Sequence, residues 1–231
     1  MADAAFHPVT LVERWQETPE LAGVCLSPQD PALAATFTTP GQYLEVRLPS
    51  GESGYFAIAN QPGAARFELL VKRGTPLTDA LLALPVGTRL DASGAQGAGY
   101  PVEEQHGKDV LLFAVGSGIS PIRSLIGHLA SHREDYAGVT LFIGARTPDD
   151  FAYAKELAAW ERAGMQVVRV VSRVEDGTGF VHGYVQEALR AHPIEPARTV
   201  AYVCGMPAMV AGVSAELTAR GVGANVIFQN F

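Results

Sequence analysis

A chain of 231 residues with 48% hydrophobic and 18% charged residues and a net charge of −7 is globular in composition. It is long enough for one large domain or two small ones. Its scattered Lys and Arg exclude the clustered basic surface that phosphate backbones require, and no apolar run approaches the length of a membrane span. The opening MADAAFHPVT has none of the successive regions of a signal peptide. Cys25 and Cys204 make neither a disulfide framework nor a metal quartet. The expectation is a soluble, cytoplasmic protein of a reducing compartment.

The first hundred residues predict strands at VTLVERW, AGVCLS, QYLEVRLP, YFAIAN, RFELLVKR and TRLDASG. Between the last two lies PLTDALLALPVG, with Leu77, Ala80, Leu81 and Leu84 on one face of a short helix. Six strands at hairpin-like spacing with one late helix predict a small antiparallel β-barrel. After GAGYPVEEQHGK the rhythm changes. Strands DVLLFAV, VTLFIGAR, QVVRVVSR, TVAYVCG and NVIFQ alternate with helices starting at Ser120 and Asp149, around GYVQEALRAH, and over PAMVAGVSAELTARG. These near-continuous apolar strands are covered on both faces, which predicts an α/β doubly wound five-stranded parallel sheet. The polar stretch Glu103, Glu104, Gln105, His106 and Lys108 divides the chain into domains 1–104 and 105–231. A ligand cleft is expected between them.

Ligands of a doubly wound sheet sit beyond the carboxyl ends of its strands, and GSGISP follows the first of them. Gly116 and Gly118 remove two side chains, which lets a pyrophosphate approach the main chain and the positive end of the helix from Ser120. Pro121 suits a first helical turn. The alternative is a tight turn with no ligand. The pattern is not G-x-G-x-x-G, and the second strand ends in Arg146, which suits a phosphate better than a ribose hydroxyl. At the far end of the sheet, YVCGMPAMV puts Cys204 and Gly205 at another strand's carboxyl end, and Cys204 also reads as a small buried hydrophobe. His128 and His132 stand four apart at the solvated end of a helix with no third metal ligand, and are expected to be exposed. No G-x-S-x-G nucleophile elbow is present.

In this order the motifs resemble the ferredoxin–NADP reductase superfamily over nearly the whole chain, which implies a flavin barrel followed by a pyridine-nucleotide domain. Gly116, Ser117, Gly118, Ile119, Ser120 and Pro121 resemble its Gly-Thr-Gly-Ile-Ala-Pro pyrophosphate loop. Cys204, Gly205, Met206 and Met209 resemble its Cys-Gly-x-x-x-Met segment beside the nicotinamide. GYFAIAN stands where the family has Arg-x-Tyr-Ser, with Gly54 for the Arg, Phe56 for the Tyr and Ala57 for the Ser. The resemblance implies that Phe56 lies against the isoalloxazine ring and that the backbone of Phe56, Ala57, Ile58 and Ala59 serves its edge. VKRGTPLTDAL resembles the flavin-phosphate loop and helix. There Val71, Gly74, Leu77 and Thr78 line the pyrophosphate, and Lys72 or Arg73 supplies the missing positive charge. Ser172 and Arg173, helped by Arg146, resemble a 2′-phosphate site and imply NADPH over NADH. Phe231 is expected to cover the flavin face.

The implied activity is that of an FAD-dependent NAD(P)H oxidoreductase, FMN being the second choice of flavin. Cys204, Phe56 and Ala57 would stand at the reacting atoms. Two cysteines cannot hold an iron–sulfur cluster, so the electrons are expected to pass to a separate protein or small acceptor. Gly54 and Ala57 leave two alternatives open: a reductase that uses free flavin as substrate, or a nucleotide-binding subunit without catalysis.

Overall fold

The computed structural model describes residues 5–173 and 179–229. Its first half is an antiparallel sheet of β1 (Phe6–Gln16), β2 (Leu21–Pro28), β3 (Tyr43–Arg47), β4 (Ser53–Ala57), β5 (Phe67–Lys72) and β6 (Arg89–Ser93), in the order β4-β3-β6-β1-β2-β5. Side chains alternate across each strand: in β3, Leu44 and Val46 are buried while Tyr43, Glu45 and Arg47 are partly exposed. The inward set, including Val9, Leu11, Val24, Leu26, Leu69 and Val71, forms one apolar core. The sheet curls until its outer strands meet at the Ile58–Leu69 bridge, where the Ala59 N–H donates to the Glu68 carbonyl at 2.7 Å. Among the described residues β4 forms a ladder only with β3, so the rest of the β4–β5 seam is unpaired.

Two helices belong to this half. α1 (Pro31–Ala35) is a single short turn capped by Asp30, and the sequence pattern did not announce it. α2 (Pro76–Ala83) follows β5 and buries Leu81, with Leu77, Ala80 and Leu84 against the same core, as their spacing predicts.

The second half is a parallel sheet of β7 (Asp109–Val115), β8 (Gly138–Ala145), β9 (Gln166–Val171), β10 (Val181–His182), β11 (Thr199–Cys204) and β12 (Ile227–Gln229), in the order β10-β9-β8-β7-β11-β12. Alternate residues of β7 serve opposite cores. Val110, Leu112 and Ala114 pack under α3 (Ile119–Ser131) and α4 (Ala154–Arg162). Leu111 and Phe113 pack under α5 (Val185–Ala191) and α6 (Pro207–Ala219). Covering both faces is what makes these strands continuously apolar.

Two details differ from expectation. The two-residue β10 makes a sixth strand, too short to leave an apolar run in the sequence. α4 starts at Ala154 rather than Asp149, because the Asp150 carboxylate accepts from the Thr147 N–H and hydroxyl and closes a separate 3₁₀ turn. Tyr153 then adopts a left-handed φ of 57° before the helix can begin.

The chain steps outward from β7 to β10 and then returns to lay β11 on the other side of β7, so the topological switch point lies between β7 and β11. The two halves share a core in which Leu21, Ala59 and Leu70 meet Ile119, Ile122 and Ile126. Arg123 on α3 adds a polar clamp. Its Nε donates to both Glu156 carboxylate oxygens at 3.0 Å, and its Nη1 donates to Glu68 at 2.8 Å and to the Ala59 carbonyl at 3.1 Å. The Tyr153 N–H donates to Glu17 across the same seam at 2.9 Å.

Candidate functional site

The loop Gly116–Gly118 is a 3₁₀ turn that runs directly into α3, and neither N-cap position carries a side-chain cap. The turn and the 13-residue helix behind it therefore have no side-chain cap at the switch point, and the N–H groups of the turn are placed to bind a phosphate. The two glycines serve different needs. Gly116 has a φ of +55° and open space where a Cβ would be, so it offers the left-handed turn and an unobstructed approach. Gly118 has an ordinary helical φ of −61°. Its Cβ would lie 2.3 Å from the Cys204 carbonyl oxygen and 2.8 Å from the Gly205 nitrogen. The close approach predicted for a ligand at Gly118 is made instead by the neighbouring strand end.

That contact joins the two motifs into one site. Cys204 is the last residue of β11, and its thiol is buried, which pushes its pKa up to about 12. It stays a neutral thiol and is no nucleophile at neutral pH. A Cβ on Gly205 would strike Val115 and Met209, so the strand end sits tightly on the β7 loop. Met209 is buried beneath, while Met206 is 63% exposed at the edge.

Ser120 is also diverted from its expected role. Its hydroxyl is buried and donates to the Ala57 carbonyl of β4 at 2.9 Å, so this side chain ties the loop to the barrel instead of facing a nucleotide. Ile119 and Pro121 are buried in α3 and serve packing. Ser117 is partly exposed.

At the carboxyl ends of β8 and β9, the Arg173 N–H donates to the Arg146 carbonyl at 2.9 Å and the Ser172 N–H to the Ala145 carbonyl at 3.1 Å. The three residues assigned to a 2′-phosphate thus stand together. The Arg146 guanidinium, however, is already paired with Glu20 of the barrel and lies 3.7 Å from Asp150. Sequence reasoning missed both acids, since Glu20 is 126 positions away and Asp150 was read as helix.

On the barrel side, ladder alternation decides which backbone groups are available. The Ile58 N–H donates to the Gln42 carbonyl at 3.0 Å, so the N–H groups of Tyr55 and Ala57 point away from β3 into the unpaired seam. The Arg73 N–H donates to the Glu20 carbonyl at 2.9 Å, which by the same alternation turns Leu70 and Lys72 of β5 toward that seam. Ile58 and Ala59, expected as donors, are spent on Gln42 and Glu68. Val71 is fully buried, with its backbone turned to β2. Phe56 is half-buried against the barrel core. Beside the Ile58–Leu69 bridge, which engages Leu70, the Tyr55, Ala57 and Lys72 N–H groups face the seam and fit the polar edge of a planar ring.

The helix next to this seam fits a phosphate less well. Thr75 and Thr78 cap α2 reciprocally, with the Thr78 N–H donating to the Thr75 hydroxyl at 3.2 Å. The Gly74 N–H donates to Asp79 at 3.0 Å. The Leu77 side chain fills the space over Gly54, 2.3 Å from where a Cβ would be. Lys72 and Arg73 are the nearby cations, and Arg73 donates to Gln16 at 3.1 Å. Phe231 lies outside the described residues.

His128 departs from expectation. It is only 14% exposed, 3.5 Å from Glu103, and stacked on His132 at 4.5 Å between ring centroids. No helix among the described residues is long and apolar enough to cross a membrane.

Comparison with known proteins agrees with this geometry. The family model for an oxidoreductase NAD-binding domain matches residues 112–215. The chain is 29% identical over 206 residues to the gamma subunit of sulfhydrogenase 1 from Pyrococcus furiosus, covering 87% of this chain and 70% of that one. It is 32% identical over 214 residues to the fruit protein pKIWI502 of Actinidia deliciosa, covering 84% and 66%. About a third of each relative thus lies beyond the match. Among solved structures, a ferredoxin NADP+ reductase from Neisseria gonorrhoeae, with bound FAD and NADP, superposes with a TM-score of 0.83 at 19% identity, over 99% of this chain and 100% of that one.

Proposed function

The chain belongs to the ferredoxin–NADP reductase superfamily, and on that premise we propose that it is an NAD(P)H oxidoreductase passing a hydride from reduced nicotinamide to FAD. Residues 1–104 serve as the flavin domain and 105–231 as the nucleotide domain, and the electrons leave to a separate acceptor. The observation that carries this reading is the 2.9 Å hydrogen bond from Ser120 to Ala57. It joins the uncapped loop suited to pyrophosphate directly to the strand whose free edge suits a flavin ring.

FAD, when bound, supplies the hydride-accepting and electron-releasing chemistry. The chain's own residues bind and orient. The N–H groups of Gly116, Ser117 and Gly118 take the nucleotide pyrophosphate. Cys204 and Gly205, backed by Met209, form the floor on which the nicotinamide lies. The N–H groups of Tyr55 and Ala57, with Lys72 opposite, would hold the flavin edge, and Phe56 would pack against its ring. The shared core around Ala59, Leu70 and Ile119 keeps water from the seam. No acid, base or nucleophile is required of the protein, so acceleration comes from holding two rings in register.

Within these 231 residues Cys25 and Cys204 are both free and buried, so the electrons leave without a built-in four-cysteine cluster. The sulfhydrogenase relative is a subunit by name, which supports a protein partner as acceptor.

A second reading has its own observation. The self-capped α2, Asp79 at Gly74 and Leu77 over Gly54 weaken the flavin-phosphate cradle, which favours flavin that exchanges as a substrate. Reduction of ferricyanide by NADH or NADPH decides between the two, measured before and after gel filtration, with and without added FAD. Activity that survives filtration supports the leading reading. Activity that requires added flavin supports the second, and none under any condition refutes both.

A further inference from the structure

In a doubly wound sheet with the pyrophosphate on the first loop, the adenosine ribose reaches the end of the next strand outward. There an acidic residue bonds the 2′-hydroxyl of NADH, or an Arg accommodates the 2′-phosphate of NADPH. The next strand here is β8, and Arg146 follows it. From the sequence this is a phosphate site. In the structure the guanidinium is held by Glu20, which comes from the β1–β2 turn of the other half, and Asp150 stands 3.7 Å from its Nε.

Asp150, and the turn that carries Glu20, are held in place independently of Arg146. Asp150 accepts from the Thr147 N–H at 3.1 Å and hydroxyl at 3.0 Å. The β1–β2 turn is closed by the Leu21 N–H on the Thr18 hydroxyl at 3.1 Å and docked by the Tyr153 N–H on Glu17 at 2.9 Å. A 2′-phosphate carries about −1.5 to −2 charges at neutral pH. At this edge it meets Arg173, exposed beside the strand end, and a second guanidinium, that of Arg146, already engaged by two carboxylates.

We infer that Glu20, by holding Arg146 across the domain seam, is a specificity-determining residue that biases this site toward NADH and against NADPH. It acts through Arg146 and is a positioning residue. The inference rests on the nucleotide site proposed above, and it reverses the NADPH preference that Ser172, Arg173 and Arg146 imply in sequence.

The test is direct titration of the flavin-loaded protein with NAD+ and with NADP+, which bind without turnover, in the parent and in Glu20→Gln. Gln keeps the size and a hydrogen bond while removing the charge, and the Glu17 contact holds the turn. The parent should bind NAD+ more tightly. Glu20→Gln should raise the NADP+/NAD+ affinity ratio about three- to tenfold, the range for a partly exposed charge-assisted contact. Adding Arg146→Ala to Glu20→Gln should remove that gain, and high salt should shrink it. An unchanged ratio in Glu20→Gln, or a parent that already prefers NADP+, overturns the inference while leaving the nucleotide site intact. Binding of neither nucleotide to the parent overturns both.

Discussion

Replacing Gly118 with Ala should damage this protein more than replacing Gly116, although Gly116 has the unusual backbone. At Gly118 the φ of −61° is one any residue adopts, so the whole effect is steric. The new Cβ would sit 2.3 Å from the Cys204 carbonyl oxygen and 2.6 Å from its carbonyl carbon, where ordinary contact starts at 3.4 Å. The obstacle is backbone at the end of a central strand, so the loop must retreat by about 1 Å and drag α3 with it. Overpacking of this kind costs about 3 kcal/mol, the upper end of its usual range, because no side chain can rotate away. For a chain of this size that is about 6–12 °C in melting temperature. Gly116→Ala meets nothing within 4 Å and costs only the left-handed conformation, about 1 kcal/mol. Its methyl group would instead project into the approach to the loop and weaken nucleotide binding. Urea unfolding followed by circular dichroism measures the first effect, and nucleotide titration the second. Equal midpoints for the two variants, at equal slopes, would show that the Gly118–Cys204 contact does not hold the loop.

Other consequences are equally open to measurement. Arg123→Met leaves Glu68 and Glu156 facing each other at a largely buried seam; it should cost about 3 kcal/mol, and Arg123→Lys should restore less than half because one ammonium cannot serve three partners. The Cys204 thiol rises from 9.0 to about 12 by burial. The unfolded chain therefore ionises first, stability is lost as pH climbs above about 9, and Cys204→Ala should lose less over that range in pH-dependent urea melts. His128 is shifted the other way, below 6.5, chiefly by burial. Its neutral form belongs to the fold, so stability should fall as pH drops below about 6.5, and His128→Asn should flatten part of that fall.

The alternation of strand and helix was legible because the parallel strands are apolar on both faces and the barrel strands on one. The loop Gly116–Gly118 and the Cys204–Gly205 edge were legible because each breaks a strand's pattern at its carboxyl end. What stayed hidden was how each polar group is spent. Ser120 reads as a loop hydroxyl until β4 is folded against it, 63 positions away, and Arg146 reads as a free cation until Glu20 arrives from the barrel. Thr78 and Gly74 read as donors for a ligand, yet Thr75 and Asp79 satisfy them locally. The start of α4 was hidden by the left-handed Tyr153, which no periodicity reports. Gly118 was identified as a close-approach position, and only the structure says that the approaching group is the chain itself.

On the function proposed above, a nucleotide held at the β7–β11 switch point reduces a flavin held in the β4–β5 seam. Anaerobic titration of the purified protein with NADH, read in the flavin's visible absorption bands, tests it most directly. The expected result is a yellow protein whose bands bleach with one equivalent of NADH per flavin. Bands that persist in the presence of excess NADH and NADPH, in protein that demonstrably contains flavin, would contradict it.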